Sequence, residues 1–269
     1  MDVRDMKSSM QAVVAHPQLI GQDEIRQWAE YFEDRPPGDV LDWAMDRFQQ
    51  RFALVTSFQL AGTVLIDMAS RLNREFRVVI IDTGRLPQET YKLIDRVRER
   101  YQISVELVMP DPELVQKMVV QHGVNLFYRD VARRQLCCHV RKVLPLLNVL
   151  EKLEAWGAGL CRGQSSTRQH IQKVELDDEH GGIVKLNPLA DWSQQDLWTY
   201  TRSHDVPYHS LYDRGYSSIG CAPCTRPVED GKGLRSGRWW WEEEGALKEC
   251  GMHCSLETGV EDRLVALTD

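Results

Sequence analysis

The spacing of apolar and polar positions changes along the chain, and the changes mark its elements. Leu41, Ala44, Met45 and Phe48 recur at i, i+3, i+4 and i+7 behind a Pro36-Pro37-Gly38 break, which predicts one buried helix face. Residues 1–50 read as a helical N-terminal segment. The period then shortens. Phe52-Ala53-Leu54-Val55 is a continuous apolar run ending near Ser57, and it predicts a buried strand followed by a helix over Gly62–Leu72. Arg77-Val78-Val79-Ile80-Ile81 predicts a second strand, closed by Asp82-Thr83-Gly84 and a helix over Pro87–Arg100, and Ile103–Met109 a third. Strands alternating with helices indicate an α/β doubly wound parallel sheet, here assigned to residues 51–204. Such sheets bind ligands beyond the carboxyl ends of their strands, where Ser57 and Asp82-Thr83-Gly84-Arg85 fall. Ser193 followed by Asp196 reads as a helix N-cap. Beyond Pro207 the chain is rich in Gly, Tyr, Pro and Cys, so residues 205–269 are read as a loop-rich tail packed on the sheet within the same domain.

Composition narrows the function without naming it. Apolar residues make up 42% of the 269 and charged residues 27%, enough for an ordinary core without disulfide staples. Lys and Arg number 33 against 40 Asp and Glu, a net charge of −7, which argues against a nucleic-acid partner while leaving room for local cationic clusters. The start Met1-Asp2-Val3-Arg4-Asp5 leads into no apolar stretch, and the longest uncharged run, Phe52 to Ile66, is too short and polar to span a bilayer. No membrane role and a cytoplasmic location are expected.

Seven cysteines stand at Cys137-Cys138, Cys161, Cys221-x-x-Cys224, Cys250 and Cys254. In a chain read as intracellular they predict metal ligation and reactive-thiol chemistry over structural disulfides. Four thiolates suit zinc or an iron–sulfur cluster. Directly adjacent ligands are awkward on one tetrahedral ion and reach two irons of a cubane more easily, so the spacing leans toward iron–sulfur, with reduced structural thiols or a redox pair as the plainer reading.

The neighbouring residues add a resemblance. Cys137-Cys138-His139-Val140-Arg141-Lys142, Gly215-Tyr216-Ser217-Ser218-Ile219-Gly220-Cys221-Ala222-Pro223-Cys224-Thr225 and Glu249-Cys250-Gly251-Met252-His253, with Asp82-Thr83-Gly84-Arg85-Leu86 and Asn187-Pro188-Leu189-Ala190-Asp191-Trp192, resemble the assimilatory adenylyl-sulfate reductases of the thioredoxin-dependent, iron–sulfur type. The resemblance runs over residues 50–255 and implies an adenine nucleotide alpha hydrolase-like fold. It further implies reduction of adenosine 5′-phosphosulfate to sulfite and AMP, toward cysteine. Cys137, Cys138, Cys221 and Cys224 would hold one [4Fe–4S] cluster, with Lys142 between cluster and sulfate. Cys250 would be the nucleophile, forming an S-sulfocysteine that a separate thioredoxin reduces, with His253 helping its ionisation or binding phosphosulfate. Arg235 and Arg238 match family arginines associated with the phosphosulfate. Arg162 aligns in a loop also containing Arg168, where Cys161 and Gly163 depart from the family pattern. Ser57 and Thr83 would offer hydroxyls at strand ends, and relatives are homo-oligomers. His122 and His139 carry no motif and are read as structural, and Cys254 as a bystander.

Three rivals stand beside this reading. Phosphoadenylyl-sulfate reductases share the Glu-Cys-Gly-x-His tail but generally lack the cluster cysteines. An ATP-pyrophosphatase-type transferase needs a Ser-Gly-Gly-x-Asp-Ser loop that Thr56-Ser57-Phe58-Gln59-Leu60-Ala61-Gly62 does not supply. A non-enzymatic iron–sulfur or zinc redox sensor would leave Cys250 and the late arginines without a role.

Overall fold

In a computed structural model that describes residues 20–229, 231–243 and 249–253, six strands form one sheet: β1 (Phe52–Val55), β2 (Arg77–Ile81), β3 (Val105–Val108), β4 (Ala155–Gly157), β5 (Val174–Asp177) and β6 (Ile183–Leu186). Their order is β3-β2-β1-β4-β6-β5. Every pairing is parallel except β5 with β6. From β1 the chain winds outward through β2 to β3, then returns to place β4 on β1's other side. The order therefore reverses between β1 and β4, and that switch point leaves a crevice at the carboxyl ends of the strands.

The apolar runs are continuous because both faces of the central strands are covered. Phe52, Leu54, Val78 and Ile80 join one core cluster, while Ala53, Val55, Val79 and Ile81 join a second on the other face, as the two-residue alternation of a strand requires. The first cluster takes in α1 (Gln22–Phe32), α2 (Pro37–Phe48), α3 (Leu60–Ser70), α4 (Gln88–Tyr101) and Leu197 of the later helix α8 (Gln194–Ser203). The second packs under Leu146, Val149 and Leu150 of α7 (Leu144–Leu150). α5 (Pro112–His122) and α6 (Val131–Cys138) start at Asp111 and Asp130, whose carboxylates accept backbone N–H groups of the first turn. α8 starts in the expected place, with Ser193 and Asp196 forming a reciprocal capping box.

Two boundaries differ from the sequence reading. The helix expected from Gly62 begins at Leu60, because Gly62 is a contact glycine within the first turn: a Cβ there would strike the side chain of Thr56 at the end of β1. The third strand is shorter than expected, with Ile103 and Met109 outside it. Between α6 and α7 the chain runs through a π-helical turn, His139–Val143. Pro145 opens α7; lacking an N–H and with a ring that crowds the carbonyl of Arg141, it favours this wider winding. From residue 205 onward the described residues form short 3-10 turns, among them Tyr212–Arg214 and Ala222–Cys224, and an isolated bridge between Thr225 and Arg238. Among the described residues no helix is long and apolar enough to cross a membrane.

Candidate active site

A cleft lies over the carboxyl ends of β1, β2 and β4, roofed by the C-terminal segment. Seven of the eight residues expected to bind or attack substrate line it: Ser57, Thr83, Lys142, Arg235, Arg238, Cys250 and His253. Each arrives by a different route. Ser57 follows β1 directly. Thr83 follows β2, in a turn where Asp82 accepts from the Gly84 N–H at 2.8 Å and from Tyr91 at 2.9 Å. Arg141 clamps the Thr83 carbonyl at 2.7 Å, and the Thr83 hydroxyl lies 3.3 Å from the Cys221 sulfur. Lys142 projects from the π-helical turn. Arg238 passes over Gly220, where any Cβ would collide with its guanidinium, and reaches Ser218 at 3.4 Å.

Cys250 lies among these cations. Its burial opposes ionisation, but Lys142, the Met252 N–H and Arg238 outweigh burial and the opposing Glu249 carboxylate, holding the thiol below its ordinary range. Lys142 is charged in return: burial works against its ammonium, yet the sulfurs of Cys221, Cys250 and Cys138 raise its pKa. His253 differs from the expectation that it lends positive charge. Its ring stacks on Trp156 at 5.5 Å with an interplanar angle of 7°. Burial, reinforced by Arg168, Lys185, His180 and Arg235, lowers the imidazole pKa well below its ordinary value and favours the neutral ring. Trp156 is itself fixed, donating to Asp177 at 3.1 Å, which also meets His180 at 2.8 Å.

Arg162 is not brought to the cleft. Its guanidinium is bound by Glu33, the residue that follows α1, at 2.7 and 2.8 Å and by the Ile171 carbonyl at 2.9 Å, which corrects its expected role on substrate. Arg168 of the same loop lines the cleft instead, held by Gln164 at 2.5 Å. Cys161 is buried in the main core and its thiol is pushed up to about 12 by that burial. Burial also takes His139 down to about 4, a neutral structural ring as read. Two contributors had no role in the sequence reading. Glu249 was visible inside a quoted motif. Arg134 carried no signal: fully buried in α6, it donates to Glu242 at 2.8 Å and to the Glu249 carbonyl at 2.6 Å, with its guanidinium 4.5 Å from the Trp239 ring. Cys254 lies outside the described residues.

Beside the cleft, Cys137 and Cys138 at the end of α6 meet Cys221 and Cys224 across the Ala222–Cys224 turn. All four are buried, free thiols lining one pocket, and Arg85, Arg134, Arg141 and Lys142 line it too. Burial raises the thiol pKa values of Cys137 and Cys224, the latter to about 12, so thiolates here need a cationic partner. Four cysteine sulfurs ringed by four cationic side chains are a donor set that fits a thiolate-held, anionic group.

Comparison with known proteins agrees with this architecture. Adenosine 5'-phosphosulfate reductase of Pseudomonas aeruginosa (strain LESB58) is 43% identical over 231 residues, covering 84% of this chain and 85% of that protein. The protein of the same name from Burkholderia cepacia is 48% identical over 180 residues, covering 67% and 71%. The crystal structure of phosphoadenylyl-sulfate (PAPS) reductase from Candida auris, a phosphate complex, superposes with a TM-score of 0.66 at 27% identity, covering 78% of this chain and 98% of that one. The model of the phosphoadenosine phosphosulfate reductase domain matches residues 51–227, from the first strand through the second cysteine pair, and it is to this family that the chain belongs.

Proposed function

We propose that this chain reduces adenosine 5′-phosphosulfate to sulfite and AMP in the assimilation of sulfate, with Cys250 as nucleophile and reduced thioredoxin as electron donor. The observation that carries this reading is the convergence of the Cys250 thiol with Lys142, Arg235 and Arg238 in one cleft at the switch point. The names of the relatives supply the substrate. The adenosine end takes the cleft floor beyond Ser57 and Thr83, and the phosphosulfate faces the cations, whose guanidinium forks suit oxyanions.

The Cys250 thiolate attacks the sulfate sulfur. The sulfur–oxygen bond to the phosphate breaks, AMP leaves with that electron pair, and an S-sulfocysteine remains. Lys142, Arg235 and Arg238 stabilise the oxygens on which charge develops. A thioredoxin thiolate then attacks the Cys250 sulfur and sulfite departs. The second thioredoxin thiol resolves the mixed disulfide, so two electrons pass from dithiol to sulfur and Cys250 returns as a thiolate. Cys137, Cys138, Cys221 and Cys224 would hold a [4Fe–4S] cluster, which supplies structure and a negative field. Lys142 stands between that cavity and the cleft, where its charge offsets repulsion toward an anionic substrate.

The test is sulfite release with reduced thioredoxin by anaerobically purified protein, comparing adenosine 5′-phosphosulfate with its 3′-phosphorylated form. Strong preference for the former is expected. Preference for the latter would make the chain a phosphoadenylyl-sulfate reductase, and turnover of neither with iron present would return the redox-sensor reading.

A further inference from the structure

The residue before the nucleophile is held in two different ways. Glu249 is 5% exposed. Its backbone carbonyl accepts from Arg134 at 2.6 Å, a short charge-assisted bond. Its carboxylate enters the cleft and accepts from Arg168 Nη2 at 3.4 and 3.3 Å, from Arg235 Nη2 at 3.3 Å and from Thr167 Oγ1 at 3.3 Å. Charge-assisted bonds ordinarily close to about 2.7–2.9 Å, as Arg162 and Glu33 do here at 2.7 and 2.8 Å. The backbone is therefore gripped while the carboxylate is loosely shared. Both guanidinium groups line the cleft that would receive the anionic end of a substrate, and Arg168 is buried. Buried cations need a counter-charge, and the Glu249 carboxylate is one that both guanidinium groups share.

We infer that Glu249 is an internal anion that holds Arg168 and Arg235 at the cleft and yields them to the phosphosulfate, so that substrate and tail compete for one pair of guanidinium groups. The inference rests on the adenylyl-sulfate reading. Its consequence is a specificity device. A ligand without an oxyanion leaves the carboxylate in place, whereas an anionic ligand turns it aside. Arg134 keeps the Glu249 carbonyl throughout, so Cys250 stays at the cleft while its neighbour's side chain moves. Binding of the correct anion thus carries the cost of displacing Glu249, and removing that charge should tighten binding.

Calorimetric titration of the cluster-loaded protein and its Glu249→Gln variant with AMP and with adenosine separates the possibilities. The variant should bind AMP more tightly, by on the order of tenfold for one relieved anion–anion conflict, with adenosine affinity unchanged. Thr167→Ala, which removes only a neutral donor to the carboxylate, should move AMP affinity the same way by about twofold. Equal or weaker AMP binding in both variants would make Glu249 a structural strut and overturn the inference alone. Failure of AMP and adenosine to bind any of the three proteins would overturn the substrate reading, and this inference with it.

Discussion

Arg162 and Arg168 share one loop and do opposite things. Arg162 ties that loop to the end of α1 through its C-cap Glu33, and Arg168 faces the cleft beside Glu249. Two successive 3-10 turns, Arg162–Gln164 and Ser166–Arg168, reverse the loop between them. Residue order alone does not reveal which guanidinium ends inward, nor that Glu33 waits far upstream. That the seven other positions line one cleft was legible because they fall in short motifs at strand ends and in the tail. Replacing Arg168 by Ala should raise the KM for adenosine 5′-phosphosulfate roughly tenfold or more, as loss of a guanidinium–oxyanion contact does. Arg162→Ala should leave KM within about twofold and cost about 0.5–1 kcal/mol in a denaturant melt, the scale of a partly exposed ion pair. Steady-state kinetics on both variants decides between them, and a KM effect at Arg162 equal to that at Arg168 would reinstate the sequence assignment.

Among the elements, the helices around β1 are tied by one buried carboxylate. Asp67 of α3 accepts from Arg71 at 2.7 Å, from Tyr101 of α4 at 2.9 Å and from Tyr200 of α8 at 2.8 Å. Burial opposes its charge, but these donors prevail and hold the carboxyl below its ordinary value. A depressed folded pKa contributes stability that is complete above the unfolded value, about 4, and is lost as the pH falls through the folded one. Asp67→Asn should therefore destabilise by about 2–3 kcal/mol at neutral pH, with the gap from the unmutated protein closing as the pH falls below about 4. A gap independent of pH would mean that shape, not charge, carries the contribution. Strand and helix order was readable from apolar runs and turn residues. The π-helical turn was not, because Pro145 fits equally well as the start of an ordinary helix, and the small error at α3 came from taking Gly62 as a boundary when it is a contact.

Across the whole molecule, an acidic chain of net charge −7 places Arg134, Arg141, Lys142, Arg168 and Arg238 in its interior around two adjoining cavities. Composition reports the sum and hides this arrangement, since the fold gathers these five cations from distant parts of the chain. The thiol cavity should load with iron and acid-labile sulfide during anaerobic purification. Cys138→Ser or Cys221→Ser should lose that iron together with the broad visible absorbance, and unchanged iron content would remove the cluster from the account. The central claim is narrower: the sulfur of the substrate passes through Cys250. Protein incubated with substrate radiolabelled at sulfur, without reductant, and then digested should carry the label on the peptide containing Cys250, release AMP, and give up the label as sulfite when reduced thioredoxin is added. Cys250→Ser should carry none. Label on another residue, or sulfite formed by the Cys250→Ser variant, would contradict the mechanism at its core.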